Sequence, residues 1–202
     1  MDPLCMATIT PAHPLWWISM NACERVVVLD SNNQPIGTAV KSEVHTTDTP
    51  YHLAFSCYVL SDKGDVLLTR RALSKATWPG VWTNSFCGHP GPGEEIPAAI
   101  RRRAQQELGL EGLYGIEEVL PTYSYRAVDS SGIVEHEFCP VYIARIDATS
   151  TPQPATTEVD SFGWATPAEL AAAVDATGFA FSPWMVDQLR HRRLREALGC
   201  LR

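Results

Sequence analysis

No Cys-x-x-Cys pair occurs in this chain; its six cysteines stand far apart, at Cys5, Cys23, Cys57, Cys87, Cys139 and Cys200. With 202 residues the chain is also too long for a small disulfide scaffold, so reduced thiols in a cytoplasmic enzyme are expected. A basic excess is lacking: 16 Lys and Arg stand against 23 Asp and Glu, a net charge of -7 that disfavours a nucleic-acid partner. No apolar run reaches the length of a membrane span. The stretch Met1 to Met20 has no basic segment ahead of a compact apolar core and does not read as a secretory leader. Internal repeats are absent, and so is any linker long enough to separate two cores. Residues 1–22 are therefore read as an irregular lead-in broken by Pro3, Pro11 and Pro14, and residues 23–202 as one catalytic domain, monomeric rather than oligomeric. Trp16 and Trp17 suggest that the lead-in folds over the body as a lid.

What is present is an ordinary globular composition, 45% hydrophobic and 19% charged. Strands are expected over Glu24–Asp30, Gly37–Val40, Tyr51–Leu60, Val66–Arg70, Glu117–Ala127, Ile133–Arg145 and Val159–Ala165. The turn chemistry of Asp62-Lys63-Gly64-Asp65 closes a hairpin. A helix is expected over Ile96–Leu108, with Pro97 in its first turn and Gly109 ending it, and further helices over Pro167–Asp175 and Pro183–Leu198. Residues 148–157 form a low-complexity loop. The mixture indicates an α/β fold.

The stretch Trp82-Thr83-Asn84-Ser85-Phe86-Cys87-Gly88-His89-Pro90 holds the first chemical signal. In an extended segment, positions two apart face the same side, so the Cys87 thiol and the His89 imidazole share one direction. His45 and His52 flank the start of a strand, and Glu135 and Glu137 share one face of another while His136 takes the opposite face. Three imidazoles and two carboxylates make a donor set suited to Zn²⁺ or Mn²⁺ rather than Ca²⁺. Singly, each of these residues is commonplace on a surface. Positive charge is gathered locally in Arg70, Arg71 and Lys75 and in Arg101, Arg102 and Arg103, which leaves an anionic small substrate open.

Residues Gly88 to Leu110 resemble the Nudix box, G-x5-E-x7-R-E-U-x-E-E-x-G-U with U apolar. Gly88, Glu94, Arg102, Ala104, Glu107, Gly109 and Leu110 stand in register, whereas Arg103 and Gln106 replace two glutamates. Two lost carboxylates weaken the cation site of a hydrolase, and an arginine in their place can grip phosphate oxygens. The resemblance extends to one branch of that superfamily, the type I isopentenyl-diphosphate isomerases. It is carried by His45-Thr46-Thr47-Asp48-Thr49, His52-Leu53-Ala54-Phe55-Ser56, Arg70-Arg71-Ala72-Leu73-Ser74-Lys75 and Trp78-Pro79-Gly80-Val81-Trp82-Thr83-Asn84-Ser85. Cys87-Gly88-His89-Pro90, Tyr125-Arg126-Ala127, Gly132 to Glu137 and Phe181-Ser182-Pro183-Trp184 continue it. The likeness implies a Nudix-like α/β/α sandwich with a mixed central sheet.

It also implies a reaction, the interconversion of isopentenyl and dimethylallyl diphosphate through a tertiary carbocation-like state. The resemblance assigns the proton carriers to Cys87 and Glu137, with Tyr125 hydrogen-bonded to Glu137. It implies diphosphate contacts from Lys41, Arg71, Lys75 and Arg103. Mg²⁺ would bridge the diphosphate to Glu107 and the backbone carbonyl of Cys87, and one Zn²⁺ or Mn²⁺ would sit with His45, His52, His89, Glu135 and Glu137. Trp184 is the candidate for facing the cation, because an indole face attracts positive charge. Arg101 and Arg102 are read as surface or helix-packing charges. A Nudix hydrolase would want glutamates at 103 and 106, and a non-catalytic binding module would have no use for Cys87, Tyr125 and Glu137 together.

Overall fold

The computed structural model describes residues 24–147 and 149–201, so the readings of a lead-in and a lid lie outside the described residues. Strand β4 (Phe55–Leu60) is buried along its whole length and divides the interior in two. Ala54, Tyr58 and Leu60 belong to one apolar cluster, Phe55, Cys57 and Val59 to the other. This is the period of two of an extended chain whose faces are both covered. Helix α1 (Ile96–Leu108) covers one face through Ala99, Ile100, Ala104 and Leu108. Helices α2 (Pro167–Thr177), α3 (Pro183–Gln188) and α4 (Arg192–Leu198) cover the other through Leu170, Val174, Trp184, Met185, Leu194 and Leu198. The α/β/α sandwich expected from the sequence is therefore present, with its strands shared between two mixed sheets.

The larger sheet runs β12-β5-β4-β11-β8, with β6 on β5 and β7 on β4; the smaller runs β2-β1-β3-β10-β9. The remaining strands are β1 (Arg25–Leu29), β2 (Pro35–Val40), β3 (His52–Leu53), β5 (Val66–Arg71), β6 (Trp82–Thr83) and β7 (Phe86–Gly88). After α1 follow β8 (Tyr114–Leu120), β9 (Ser124–Val128), β10 (Val134–Phe138), β11 (Val141–Arg145) and β12 (Val159–Ala165). β4 and β11 pair in parallel, as do β3 and β10.

Three segments that read as single strands are each two, and each break carries the chain from one sheet to the other. Tyr51–Leu60 breaks at Ala54, whose amide makes the last bond of the small-sheet ladder, to the Phe138 carbonyl at 2.8 Å, before Phe55 begins the pairing with β7 in the larger sheet. Ile133–Arg145 breaks at Cys139-Pro140, where proline has no N–H to continue a ladder. Glu117–Ala127 breaks between Leu120 and Ser124. An apolar run shared by two sheets has the same pattern as one long strand, so the pattern alone does not show the crossing. The expected helix Pro183–Leu198 is likewise two, interrupted at Leu189 to His191, where Gln188 is buried and spends its amide on Ser56 (2.8 Å) and Tyr58 (2.8 Å).

Helix α1 has the expected bounds, and Gly109 ends it with φ of 61°. The 149–157 loop then docks on that end. The Gln153 amide donates to the Leu108 carbonyl at 2.7 Å, and the Ala155 amide to that of Glu107 at 2.9 Å, satisfying carbonyls a helix terminus leaves open. Gly88 marks the closest approach of β7 to α1 and β4. A Cβ there would lie 2.8 Å from Arg103 Cγ and 2.9 Å from Phe55 Cζ. Gly88→Ala is expected to cost about 1–3 kcal/mol, the range for overpacking a filled interior. Urea denaturation of the two proteins checks this, and an unchanged midpoint would show that Arg103 swings clear without cost.

Candidate active site

The junction of the two sheets gathers the chemically active side chains. The parallel register of β3 and β10 sets Glu137 beside His52, and the antiparallel register of β10 and β9 sets it opposite Tyr125. β7 delivers Cys87 and then His89, and the loop after β2 delivers His45. Glu137 Oε1 lies 3.1 Å from His89 Nε2, 3.5 Å from His52 Nε2 and 3.8 Å from His45 Nε2. The donor atoms of these four residues all lie within 4.8 Å of one another.

The protonation pattern suits a cation. His52 Nδ1 is 2.8 Å from the Pro50 carbonyl and donates to it, which leaves Nε2 a lone pair directed at the group. His45 Nε2 is buried with no hydrogen-bond partner. Burial pushes His89 down to about 3, against the pull of Glu137, so its imidazole is neutral. Burial would raise Glu137, yet the three imidazoles gathered around it hold it well below the usual carboxylate range. Three nitrogens and a carboxylate, aimed at one point and short of hydrogen-bond donors, fit a borderline divalent ion.

Glu135 stands apart from this group of four. Its Oε1 accepts from Thr77 Oγ at 2.5 Å and its Oε2 from the Tyr125 hydroxyl at 2.6 Å. The i, i+2 spacing does place Glu135 and Glu137 on one face, but competing hydroxyls direct the Glu135 carboxylate elsewhere. Tyr125 also lies 3.0 Å from Glu137 Oε2. Burial and the two carboxylates raise its hydroxyl far above the ordinary tyrosine value, so it remains a proton donor.

A cavity of about 370 Å³ opens beside this cluster, lined by Cys87, Tyr125, Glu137 and Trp184 together with Lys41, Arg71, Lys75, Arg103 and Glu107. Burial pushes the Cys87 thiol up to about 12, opposed by hydrogen bonds with Ser56 Oγ (3.3 Å) and Asn84 (3.5 Å). Trp184 is 1% exposed, and its indole N–H donates to Asn84 Oδ1 at 3.0 Å. Trp78 stands edge-on to it at 5.4 Å between ring centroids, and the Arg71 guanidinium carbon lies 5.3 Å from the ring centroid.

Every basic side chain expected to meet the diphosphate is engaged by the protein. Lys41 pairs with Glu24 at 2.8 Å. Lys75 pairs with Glu158, and Arg103 Nε donates to Glu107 at 2.9 Å while its Nη2 lies 3.3 Å from Glu158. Arg71 donates to the Thr77 carbonyl at 2.9 Å and lies 3.9 Å from Glu135. Sequence reasoning passed over Glu24, Thr77 and Glu158, which lie outside the quoted motifs, and gave no role to Asn84, which lies inside one. Arg102, read as a surface or packing charge, is instead a staple. It grips both oxygens of Glu94 at 2.6 and 2.8 Å and reaches the His89 carbonyl at 3.1 Å. The signal was available, since Glu94 and Arg102 are both positions of the box pattern.

The fold and this site define a NUDIX protein: the NUDIX domain model matches residues 50–185. A crystal structure from Deinococcus radiodurans covers 83% of this chain and 98% of its own at a TM-score of 0.63 and 22% identity. A MutT protein from Methanosarcina mazei covers 73% and 96% at a TM-score of 0.54 and 15% identity. Those identities speak for the fold alone. Sequence relatives narrow the class. An isopentenyl-diphosphate Delta-isomerase of Kocuria rhizophila is 60% identical over 176 residues, 87% of this chain and 96% of the relative. One of Corynebacterium glutamicum is 58% identical over 177 residues, covering 87% and 94%. The chain belongs to the isopentenyl-diphosphate Delta-isomerase family of NUDIX-domain proteins.

The geometry makes His52 indispensable to cation binding and Glu135 less so. His52→Ala is expected to lower Zn²⁺ affinity by more than the 10–100-fold typical of removing a ligand's supporting partner, and Glu135→Gln by less than His52→Ala. Competitive chelator titration measures both, and full affinity in His52→Ala would show that the four residues do not form a metal site.

Proposed function

We infer that this chain interconverts isopentenyl diphosphate and dimethylallyl diphosphate, an enzymatic double-bond shift of isoprenoid biosynthesis. The observation that carries the reading is that one cavity joins two proton-carrying groups, Cys87 and Glu137 with Tyr125, to a wall of four basic side chains. The family relationship, at about 60% identity over most of both chains, supports it.

An alkene is a very weak base, so protonating it requires a strong acid in a site without competing water. In the forward direction the terminal alkene carbon gains a proton, a tertiary cation-like centre develops, and the neighbouring methylene loses a proton to a base. We assign the two proton-carrying roles to Glu137 with Tyr125 and to the Cys87 sulfur; whichever of the two protonates the alkene in one direction takes that proton back in the other. Tyr125 hydrogen-bonds both Glu135 and Glu137, which suits it to deliver a proton and to hold the carboxyl in place. Trp184, fixed by Asn84, is assigned the cation-facing role, worth roughly 0.5–2 kcal/mol when desolvated.

His45, His52, His89 and Glu137 would hold a Zn²⁺ or Mn²⁺ ion, and Glu135 would join them as a fifth donor on giving up its bond to Thr77 or Tyr125. When bound, such an ion stabilises the Glu137 carboxylate and makes its protonated form a stronger acid. Glu107 and the Cys87 carbonyl offer the hard oxygens suited to a Mg²⁺ ion accompanying the diphosphate. Lys41, Arg71, Lys75 and Arg103 would bind the diphosphate oxygens. Among the described residues no helix is long and apolar enough to cross a membrane. The described cysteines Cys57, Cys87, Cys139 and Cys200 are unpaired, which supports a reducing, cytoplasmic setting.

A proton NMR time course of isopentenyl diphosphate with Mg²⁺ and added Zn²⁺ or Mn²⁺ is expected to show dimethylallyl diphosphate. Cys87→Ala and Glu137→Gln are each expected to lose at least about 10²–10⁴-fold in rate, the usual worth of a positioned acid or base. In deuterated water each variant should fail to exchange at one carbon. Full exchange at both carbons would refute the assignment, and phosphate release would mark a hydrolase instead.

A further inference from the structure

Glu158 lines the cavity but has no part in the proton transfers. It ends the loop docked on α1 and is fixed by backbone on both sides. Its amide donates to the Ala155 carbonyl at 2.9 Å, and its own carbonyl accepts from the Ala72 amide at 3.0 Å. From there the carboxylate bridges two of the cations assigned to the diphosphate. Oε2 pairs with Lys75 Nζ, and Oε1 lies 3.3 Å from Arg103 Nη2. Burial works against ionising Glu158, but Lys75 and Arg103 hold its carboxyl below the ordinary value, so it is charged.

The consequence is electrostatic. Arg103 is also met by Glu107, and Lys41 by Glu24. Lys41, Lys75 and Arg103 are thus each met by a carboxylate before any anion arrives. A metal-free diphosphate would have to displace carboxylates that repel it, from a segment whose backbone holds them close. A diphosphate that brings a divalent cation adds positive charge to the same space and removes that repulsion. Glu107, on α1, is the carboxylate assigned to such a cation; Glu158, anchored at the end of the docked loop, is the additional negative charge facing Lys75 and Arg103.

We propose that Glu158 is a specificity-determining residue that makes diphosphate recognition conditional on a divalent cation, by holding Lys75 and Arg103 against the metal-free anion. The inference rests on the diphosphate reading given above. It predicts a role for Glu158 in choosing the ionic form of the ligand, apart from the chemistry performed on it.

Calorimetric titration of the full chain with inorganic pyrophosphate, at constant ionic strength with and without Mg²⁺, tests it. The unaltered chain is expected to bind at least about tenfold more tightly with Mg²⁺, or ~1.4 kcal/mol. Glu158→Gln should shrink that ratio to about threefold or less by gaining affinity for the metal-free anion, whereas Glu158→Asp, which keeps the charge, should retain it. A ratio unchanged in Glu158→Gln overturns the proposal, as does an equal loss of affinity in both conditions, which would mark a scaffold for Lys75 and Arg103. If the ratio is unchanged while isopentenyl diphosphate is still converted, only the role of Glu158 fails. Absence of pyrophosphate binding by the unaltered chain in either condition overturns the proposal together with the diphosphate reading.

Discussion

A carboxylate that is 4% exposed has to be compensated, and the compensation of Glu137 constrains much of the molecule. Its two oxygens face different partners: Oε1 the three imidazoles, Oε2 the Tyr125 hydroxyl. Meeting both demands requires β3 and β10 to run side by side in parallel and β9 to return antiparallel on the other flank of β10. It also requires the larger sheet to deliver His89 from β7 at the sheet junction. The breaks at Ala54 and at Cys139-Pro140 are what let one chain segment serve the small sheet with its ligands and the large sheet with its core. Separate the two sheets, and Glu137 loses His89, the imidazole nearest to it.

The cavity brings together two kinds of lining. Trp184, Tyr125 and Cys87 offer an aromatic face, a hydroxyl and a thiol, whereas Lys41, Lys75 and Arg103 are each met by a carboxylate. Asn84 links Trp184 and Cys87. Its Oδ1 accepts from the indole of Trp184, its amide donates to the Cys57 and Phe86 carbonyls, and the Cys87 sulfur lies 3.5 Å away. A wholly buried amide with every bond used is a rigid support, and it holds an aromatic face and a thiol in one geometry.

The fold is shared with proteins as little as 15% identical, so it does not decide the chemistry. The decisive differences are local. At position 103 an arginine stands where the box pattern has a glutamate, and it pairs with Glu107 and Glu158. The same loop and helix start are kept taut by the Arg102–Glu94 pair. A scaffold suited to diphosphates is thereby combined with a thiol and a metal-ready cluster that hydrolysis of a diphosphate would not need.

Residues 88–110 were legible from sequence because their information is local. The bounds of α1, its stop at Gly109 and the shared direction of Cys87 and His89 follow from propensity, glycine geometry and the two-residue repeat of extended chain. The α/β class and the donor types were legible for the same reason. Where apolar runs change sheets was not, since the pattern of β3–β4 or β10–β11 is continuous across Ala54 and Cys139. Nor was the separation of Glu135 from Glu137: equal in spacing and face, they differ only in the hydroxyls of Thr77 and Tyr125 that reach one of them. Glu158 belongs with these, because its meaning comes from Lys75 and Arg103, distant in sequence and brought to it by a docked loop. Sequence carried what depends on the order of neighbouring residues, and tertiary structure decided what depends on partners far along the chain, because the range of a hydrogen bond or an ion pair is a distance in space.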